Sequence, residues 1–310
     1  MSRASIGILW ALAFVILESI QFVYFGGLFQ RVNSYLFGFC VFSLTTIVFV
    51  AAAAIRTPGE LRIAFANPGL LLKINLTATL AWIAFLGSVQ LIEPAIAYTV
   101  GSGVMPLTAY LFYRLNWPEG EPMRNRREAI GNLIIGGAIL FLCLVTVFGY
   151  SGFVRGGALG AAMGIGFAIA DGFFFTLLLI YCQRLDRSGA GPSTVFGLRF
   201  PLYAITAGML ASATMTQADT PTLPDLALIT ALGLLLIIPP LYALQRAVAL
   251  ISTLTLSALT ATGPLVIFLL QIIEGRVLQS GLTLLGLAIY FGGALLAAQG
   301  AVSATRKIEP

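Results

Sequence analysis

Ten apolar runs, each about the length that crosses a bilayer, follow one another along 310 residues with almost nothing between them. They occupy 6–28, 34–55, 70–91, 95–115, 129–149, 157–181, 194–214, 225–245, 248–273 and 279–301. A membrane helix needs roughly 20 apolar residues, because the hydrocarbon layer is about 30 Å thick and each residue rises about 1.5 Å. Hydrophobic residues make up 59% of the chain and charged residues 9%, with a mean hydropathy of +0.97. Soluble proteins carry about 25% charged residues to cover their outside, so a soluble fold is excluded. The 33 glycines and 14 prolines suit spans better than soluble helices.

The basic residues set the orientation. With the N-terminus inside, Arg3, Arg56, Arg62, Lys73, Arg114, Arg124, Arg126, Arg127, Arg184, Arg187, Arg246, Arg306 and Lys307 fall on the inner side, 13 of the 17. Arg31, Arg155 and Arg276 fall outside, and Arg199 lies within a run. That bias places both termini in the cytoplasm and requires an even number of spans. The net charge of +5 therefore reflects topology rather than a nucleic-acid partner. Ala11-Leu12-Ala13 resembles a leader cleavage site, but the first run has a counterpart in the second half and is read as a span.

The counterpart emerges when the chain is slid along itself. At an offset of 153 residues Glu18 falls on Asp171, Phe14 on Phe167, Gln30 on Gln183 and Arg31 on Arg184. At 158, Pro106 falls on Pro264, Thr99 on Ser257 and Ser102 on Thr260; at 155, Gly131-x5-Gly137 falls on Gly286-x5-Gly292. Residues 1–150 and 151–310 thus read as two copies of one five-helix unit. Five is odd, so the copies lie in opposite orientations, the inverted-repeat plan of many secondary transporters with a site near the midplane. The expected fold is an all-α integral membrane protein of ten transmembrane helices.

Several residues stand out against this apolar background. Glu18 and Asp171 lie mid-span, where a carboxylate facing lipid costs at least about 2.5 kcal/mol. They bind a substrate ammonium, carry a coupling proton, or bond to a neighbouring helix. Gln21 extends the Glu18 face by one turn. Thr99 and Ser102 on one span, and Thr253, Ser257 and Thr260 on another, form matched hydroxyl faces. Gly103 with Pro106, Gly263 with Pro264, and the pair Pro239 and Pro240 are candidate hinges or gates, since each proline frees a backbone carbonyl. Trp82 sits deep in its span and Phe175 follows Asp171, so both are candidate cavity walls. Arg199 is either a structural cation or a grip on a substrate carboxylate.

Other functions are poorly supplied. Without histidine the commonest metal ligand and near-neutral base are missing, and no acidic cluster stands where an intramembrane enzyme would need one. Neither a metal site nor an organic cofactor is expected. Cys40, Cys143 and Cys182 are scattered, odd in number and read as packing residues. No Walker-type Gly-Lys-Ser/Thr motif is present, so energy comes from the substrate gradient or from a coupled ion.

Five stretches carry a family resemblance: Leu198-Arg199-Phe200, Tyr242-Ala243-Leu244-Gln245-Arg246-Ala247, Gly263-Pro264-Leu265-Val266, Glu274-Gly275-Arg276 and the Gly286-x5-Gly292 helix. On these the chain resembles the drug/metabolite transporter superfamily with its EamA-type duplicated unit. Val100-Gly101 leading to Pro106-Leu107-Thr108 is similar to the YddG-like amino-acid exporters. Cys40 stands where the family's second helix has an arginine. The resemblance implies export of amino acids, aromatic ones included, across the bacterial inner membrane by alternating access, with membrane lipids as surroundings and a monomer or dimer as the working form. Hydrophobic cations, other drug-like metabolites and lipids are the alternative cargoes.

Overall fold

A computed structural model describes residues 3–28, 32–117, 120, 122–123, 125–214, 222–248, 250–251 and 259–305. Among these every regular element is helical: α1 Arg3–Leu28, α2 Ser34–Arg56, α3 Pro58–Phe65, α4 Pro68–Leu91, α5 Pro94–Arg114, α6 Arg126–Val147, α7 Gly157–Arg187, α8 Pro192–Leu198, α9 Pro201–Thr214, α10 Leu223–Val248, α11 Gly263–Glu274 and α12 Gly281–Thr305. Nine helical stretches among the described residues are long and apolar enough to cross a membrane, with α8 and α9 counted together; α11 is shorter. The chain is a multi-pass, all-α membrane protein.

Local chemistry sets the helix boundaries. Proline is the first residue of α3, α4, α5, α8 and α9, where its missing N–H would have no partner in any case. Asn33 caps α2, its side-chain oxygen accepting the N–H groups of Tyr35 at 2.9 Å and Leu36 at 3.1 Å. Asn125 caps α6 by accepting the Glu128 N–H at 3.0 Å. Gly275, at φ 75°, closes α11 in the left-handed conformation that glycine reaches without a steric penalty. Large apolar side chains remain on the outside, among them Leu133, Leu159 and Ile273 at 75, 73 and 81% exposure. This outer surface suits lipid.

The chain divides into two compact units, each drawing on both halves of the sequence. The first holds Met1–Gly27, Gly87–Gly172 and Leu236–Pro310. Within it α6 and α12 pack antiparallel through small residues. Gly131 lies against the backbone of Ala297, Gly293 against Ile134, and Gly286 against Leu142. The Asn125 amide donates to the Gly300 carbonyl at one end of the pair. In contrast, α1 and α11 run parallel. Gly7 meets Leu250 and Ile251, the Ser19 hydroxyl reaches the Gly263 carbonyl at 3.5 Å, and Gly27 meets the Glu274 carboxylate. Gly7 and Gly27 are about 30 Å apart along a straight helix.

The second unit holds Leu28–Leu86 and Phe173–Leu235, in which α2 packs on α8 and α9. Its core joins Ala64, Ile74, Ala78, Leu178, Leu185, Ala190, Val195 and Leu198, with Phe175 packed against them. An aromatic cluster is centred on Phe42, whose ring lies 4.5 Å from Trp82, 4.6 Å from Phe200 and 5.0 Å from Tyr203. The seventh run, read as unbroken over 194–214, is two helices here, interrupted at Arg199 and Phe200. The connection between α2 and α4 also contains a helix, α3, that no apolar run announces.

Candidate functional site

The mid-span carboxylates lie in the first unit. Glu18 on α1 accepts a hydrogen bond from the Tyr98 hydroxyl of α5 at 3.0 Å. Phe22, one turn along α1, meets the Tyr98 ring edge-on at 4.8 Å. Gly263, which opens α11, also lies against that ring, where any side chain would collide with the phenol. Tyr98 is therefore packed by both α1 and α11, and its hydroxyl is directed at the carboxylate.

Asp171 on α7 faces the α5 backbone at Gly101. A Cβ at Gly101 would come within 3.1 Å of Asp171 Oδ2, and one at Gly172 would strike the Gly101 carbonyl. These two glycines let α5 and α7 approach closely while leaving room for the carboxylate. Among the described residues no donor is hydrogen-bonded to Asp171. Nor does a Lys or Arg form an ion pair with either carboxylate among those residues.

One turn beyond Tyr98, the Ser102 hydroxyl bonds to the Tyr98 carbonyl at 2.7 Å and pairs with the Tyr290 hydroxyl of α12 at 3.0 Å. Gly103 admits Ile135, Ile139 and Tyr290 against α5. Pro106 lies within α5, so the Ser102 carbonyl has no helical donor. The result is a polar seam through apolar helices, made of Glu18, Tyr98, Ser102 and Tyr290, with Asp171 beside Gly101. It offers carboxylate oxygens and phenolic hydroxyls, a chemistry suited to an ammonium group.

The other sequence candidates take varied positions. Gln21 is buried on α1. Thr99 is fully buried, and its hydroxyl is committed to the Ala95 carbonyl at 2.6 Å. Thr260 precedes α11, and Pro264 stands in the first turn of α11, where a proline disturbs nothing. Pro239 and Pro240 lie inside α10. Ser257, like Thr253, is outside the described residues. Trp82, Phe175 and Arg199 belong to the second unit. There Trp82 packs among Phe42, Phe85 and Phe200. The Arg199 guanidinium lies over the rings of Phe196 at 4.4 Å and Phe200 at 4.6 Å. Its Nε is buried without a hydrogen-bond partner.

A further polar centre stands outside the spans, in the α4–α5 connection of the first unit. Glu93 is fully buried and accepts three hydrogen bonds: from Gly152 N–H at 2.9 Å, the Thr283 hydroxyl at 3.1 Å and Gln271 Nε2 at 3.1 Å. Gln271 in turn accepts the Ala95 N–H at 2.9 Å. One carboxylate thus ties α4–α5 to the α6–α7 connection, α11 and α12. Burial holds its carboxyl above the usual range despite those three donors. The sequence reading missed Glu93, as it missed Tyr98 and Tyr290. The signal for Glu93 was its place directly before the helix-opening Pro94; for Tyr98 it was the four-residue spacing to Ser102.

Among the described residues no group of three or more His, Cys, Asp or Glu stands close enough to hold a metal ion. No protein-family model matches the chain, and no curated protein matches it. The chain is similar to a solved crystal structure of a protein, with a TM-score of 0.61 and 19% identity over 96% of this chain and 98% of that one. A likeness at that identity speaks for the fold alone.

Proposed function

We propose that this chain is a secondary transporter of the bacterial inner membrane that exports small metabolites bearing an ammonium group, amino acids including aromatic ones first among them. The observation that carries the reading is the Glu18–Tyr98 pair, with Asp171 against Gly101 of the same α5, inside helices that otherwise have no use for charge. Ionisable groups at that depth belong to substrate or ion pathways as a rule. Phe22 on Tyr98 supplies an apolar wall, and the open Asp171 carboxylate supplies a second acceptor for the ammonium or for a coupling proton.

The ten-span, inverted-repeat plan is part of the same proposal. Its support is that Leu250 and Ile251 lie beside Gly7 of α1 and Glu274 beside Gly27. Two described points set that far apart along α1 call for one more membrane crossing between them. The antiparallel packing of α6 on α12 then requires an odd number of crossings from one to the other, as ten spans provide. Cytoplasmic termini follow from the distribution of Lys and Arg, and alternating access of a midplane cavity follows from the inverted repeat.

One observation favours a second cargo. Neither carboxylate is ion-paired to a Lys or Arg among the described residues, so hydrophobic cations suit the seam at least as well as zwitterions. Uptake of labelled substrates into proteoliposomes decides between them. Saturable amino-acid uptake that Glu18→Gln or Asp171→Asn reduces at least tenfold supports the proposal. Uptake of aryl-ammonium ions but of no amino acid transfers the function to cation export. Uptake of neither by folded protein refutes both.

A further inference from the structure

The interruption between α8 and α9 has an unusual cause. In a continuous helix the Leu202 N–H would donate to the Leu198 carbonyl, four residues back. Here both groups bond to one side chain from another helix. Asn75 of α4 accepts the Leu202 N–H on Oδ1 at 3.1 Å and donates from Nδ2 to the Leu198 carbonyl at 2.8 Å. The same Nδ2 also donates to the Leu71 carbonyl of its own helix at 3.0 Å. Asn75 is 8% exposed, so no water stands ready to replace it. A side chain inserted into the helical ladder is one of the few recognised causes of a sharp break.

Two features make the break local. Pro201 has no N–H, so the Gly197 carbonyl loses its helical donor as well. At its other end α8 is held by Glu60 of α3, which accepts the Gly191 N–H at 3.0 Å and the Thr194 hydroxyl at 2.5 Å. The short α8 is therefore clamped by a side chain at each end, and Arg199 occupies the gap between α8 and α9.

We infer that Asn75 is the positioning residue of this span: its amide, inserted between Leu198 and Leu202, keeps α8 and α9 apart and sets where Arg199 stands for the transport cycle. Irregular backbone at membrane depth persists only where its polar groups are satisfied, and discontinuous spans are where transporters place binding and gating elements. Removal of the amide leaves the two backbone groups free to bond to each other, which restores that rung and leaves only the missing Pro201 donor in the ladder. The consequence for transport rests on the function proposed above; the consequence for the helix does not.

The test uses the full-length protein with Cys40, Cys143 and Cys182 replaced and spin labels at Ser193→Cys and Met209→Cys. A straight helix sets these positions about 24 Å apart. Asn75→Leu, close in volume, is expected to move the measured distance toward that value, and Asn75→Asp, which keeps the acceptor for Leu202, to move it less. Pro201→Ala with Asn75 intact is expected to leave the distance as in the unsubstituted protein. Straightening by Pro201→Ala but not by Asn75→Leu overturns the inference, as does an unchanged distance in every variant. In proteoliposomes Asn75→Leu is expected to lower the maximal uptake rate at least tenfold, with the half-saturating concentration within twofold. A straightened helix that transports at the normal rate overturns the positioning role. If the unsubstituted protein carries no tested substrate, the distances still decide what Asn75 does, and only the transport reading fails.

Discussion

Replacing Glu93 by alanine should unravel one end of the first unit. The carboxylate accepts from Gly152 N–H, Thr283 Oγ1 and Gln271 Nε2, all in a fully buried setting. Truncation leaves three donors without partners, and each such group costs about 1–3 kcal/mol. Even at the low end the loss is about 3 kcal/mol, worth on the order of 10 °C in melting temperature. Glu93→Gln keeps the volume and one acceptor oxygen but turns an N–H toward Gln271, so it loses one pairing and about 1–3 kcal/mol. The two variants should therefore rank alanine below glutamine below the unsubstituted protein.

Acidity adds a second signature. Burial raises the Glu93 pKa in the folded protein above its ordinary value of 4.5, so the folded state binds the proton more tightly than the unfolded one. Its contribution is complete below about pH 4.5 and declines as pH rises through the higher folded value. Thermal unfolding of detergent-solubilised protein from pH 4 to pH 8 reads this directly. The melting temperature of the unsubstituted protein should fall across that range by more than that of Glu93→Gln, which has nothing to titrate there. Parallel curves, or an alanine variant that melts with the parent, would refute the assignment of Glu93 as the tie.

Other perturbations test the remaining contacts. Tyr98→Phe removes a hydroxyl bonded to Glu18 and should change the half-saturating concentration of an ammonium substrate by fivefold or more in proteoliposome uptake, with the melting temperature nearly unchanged. Gly131→Leu drives a side chain into the Ala297 backbone and should cost about 1–3 kcal/mol through overpacking, seen as a lower melting temperature. Trp82→Phe keeps an aromatic ring among Phe42, Phe85 and Phe200 and should leave substrate half-saturation within twofold; a larger change would make Trp82 a substrate contact.

How much of this could be read from the sequence depends on the range of the interaction. The run 34–55 became Ser34–Arg56 and 279–301 became Gly281–Thr305, because a span is fixed by its own apolar length. The break inside 194–214 has one local signal, Pro201, but the amide that takes up the Leu198 carbonyl and the Leu202 N–H belongs to Asn75, more than 120 residues away. Glu18 and Asp171 were conspicuous as lone carboxylates in apolar runs. Their surroundings were not: a tyrosine such as Tyr98 is one of 10 in the chain, among 22 phenylalanines, and only the packing of α5 on α1 and α11 selects it. Glu93 sits at the edge of a run and reads as an ordinary interfacial charge, since burial at a connection is a tertiary property.

The hydroxyls inside the spans have a consequence for how such chains diverge. Thr45, Thr77, Thr79, Thr99, Thr146 and Thr206 each donate to the carbonyl four residues earlier in their own helix. Such bonds add little and are made wherever the residue occurs. Valine has nearly the same shape and leaves that carbonyl its helical partner. Threonine and valine should therefore interchange at these positions over evolutionary time with little effect, and a hydroxyl gained or lost there records drift. A change at Glu18 or Asn75, which bond to other helices, would record selection.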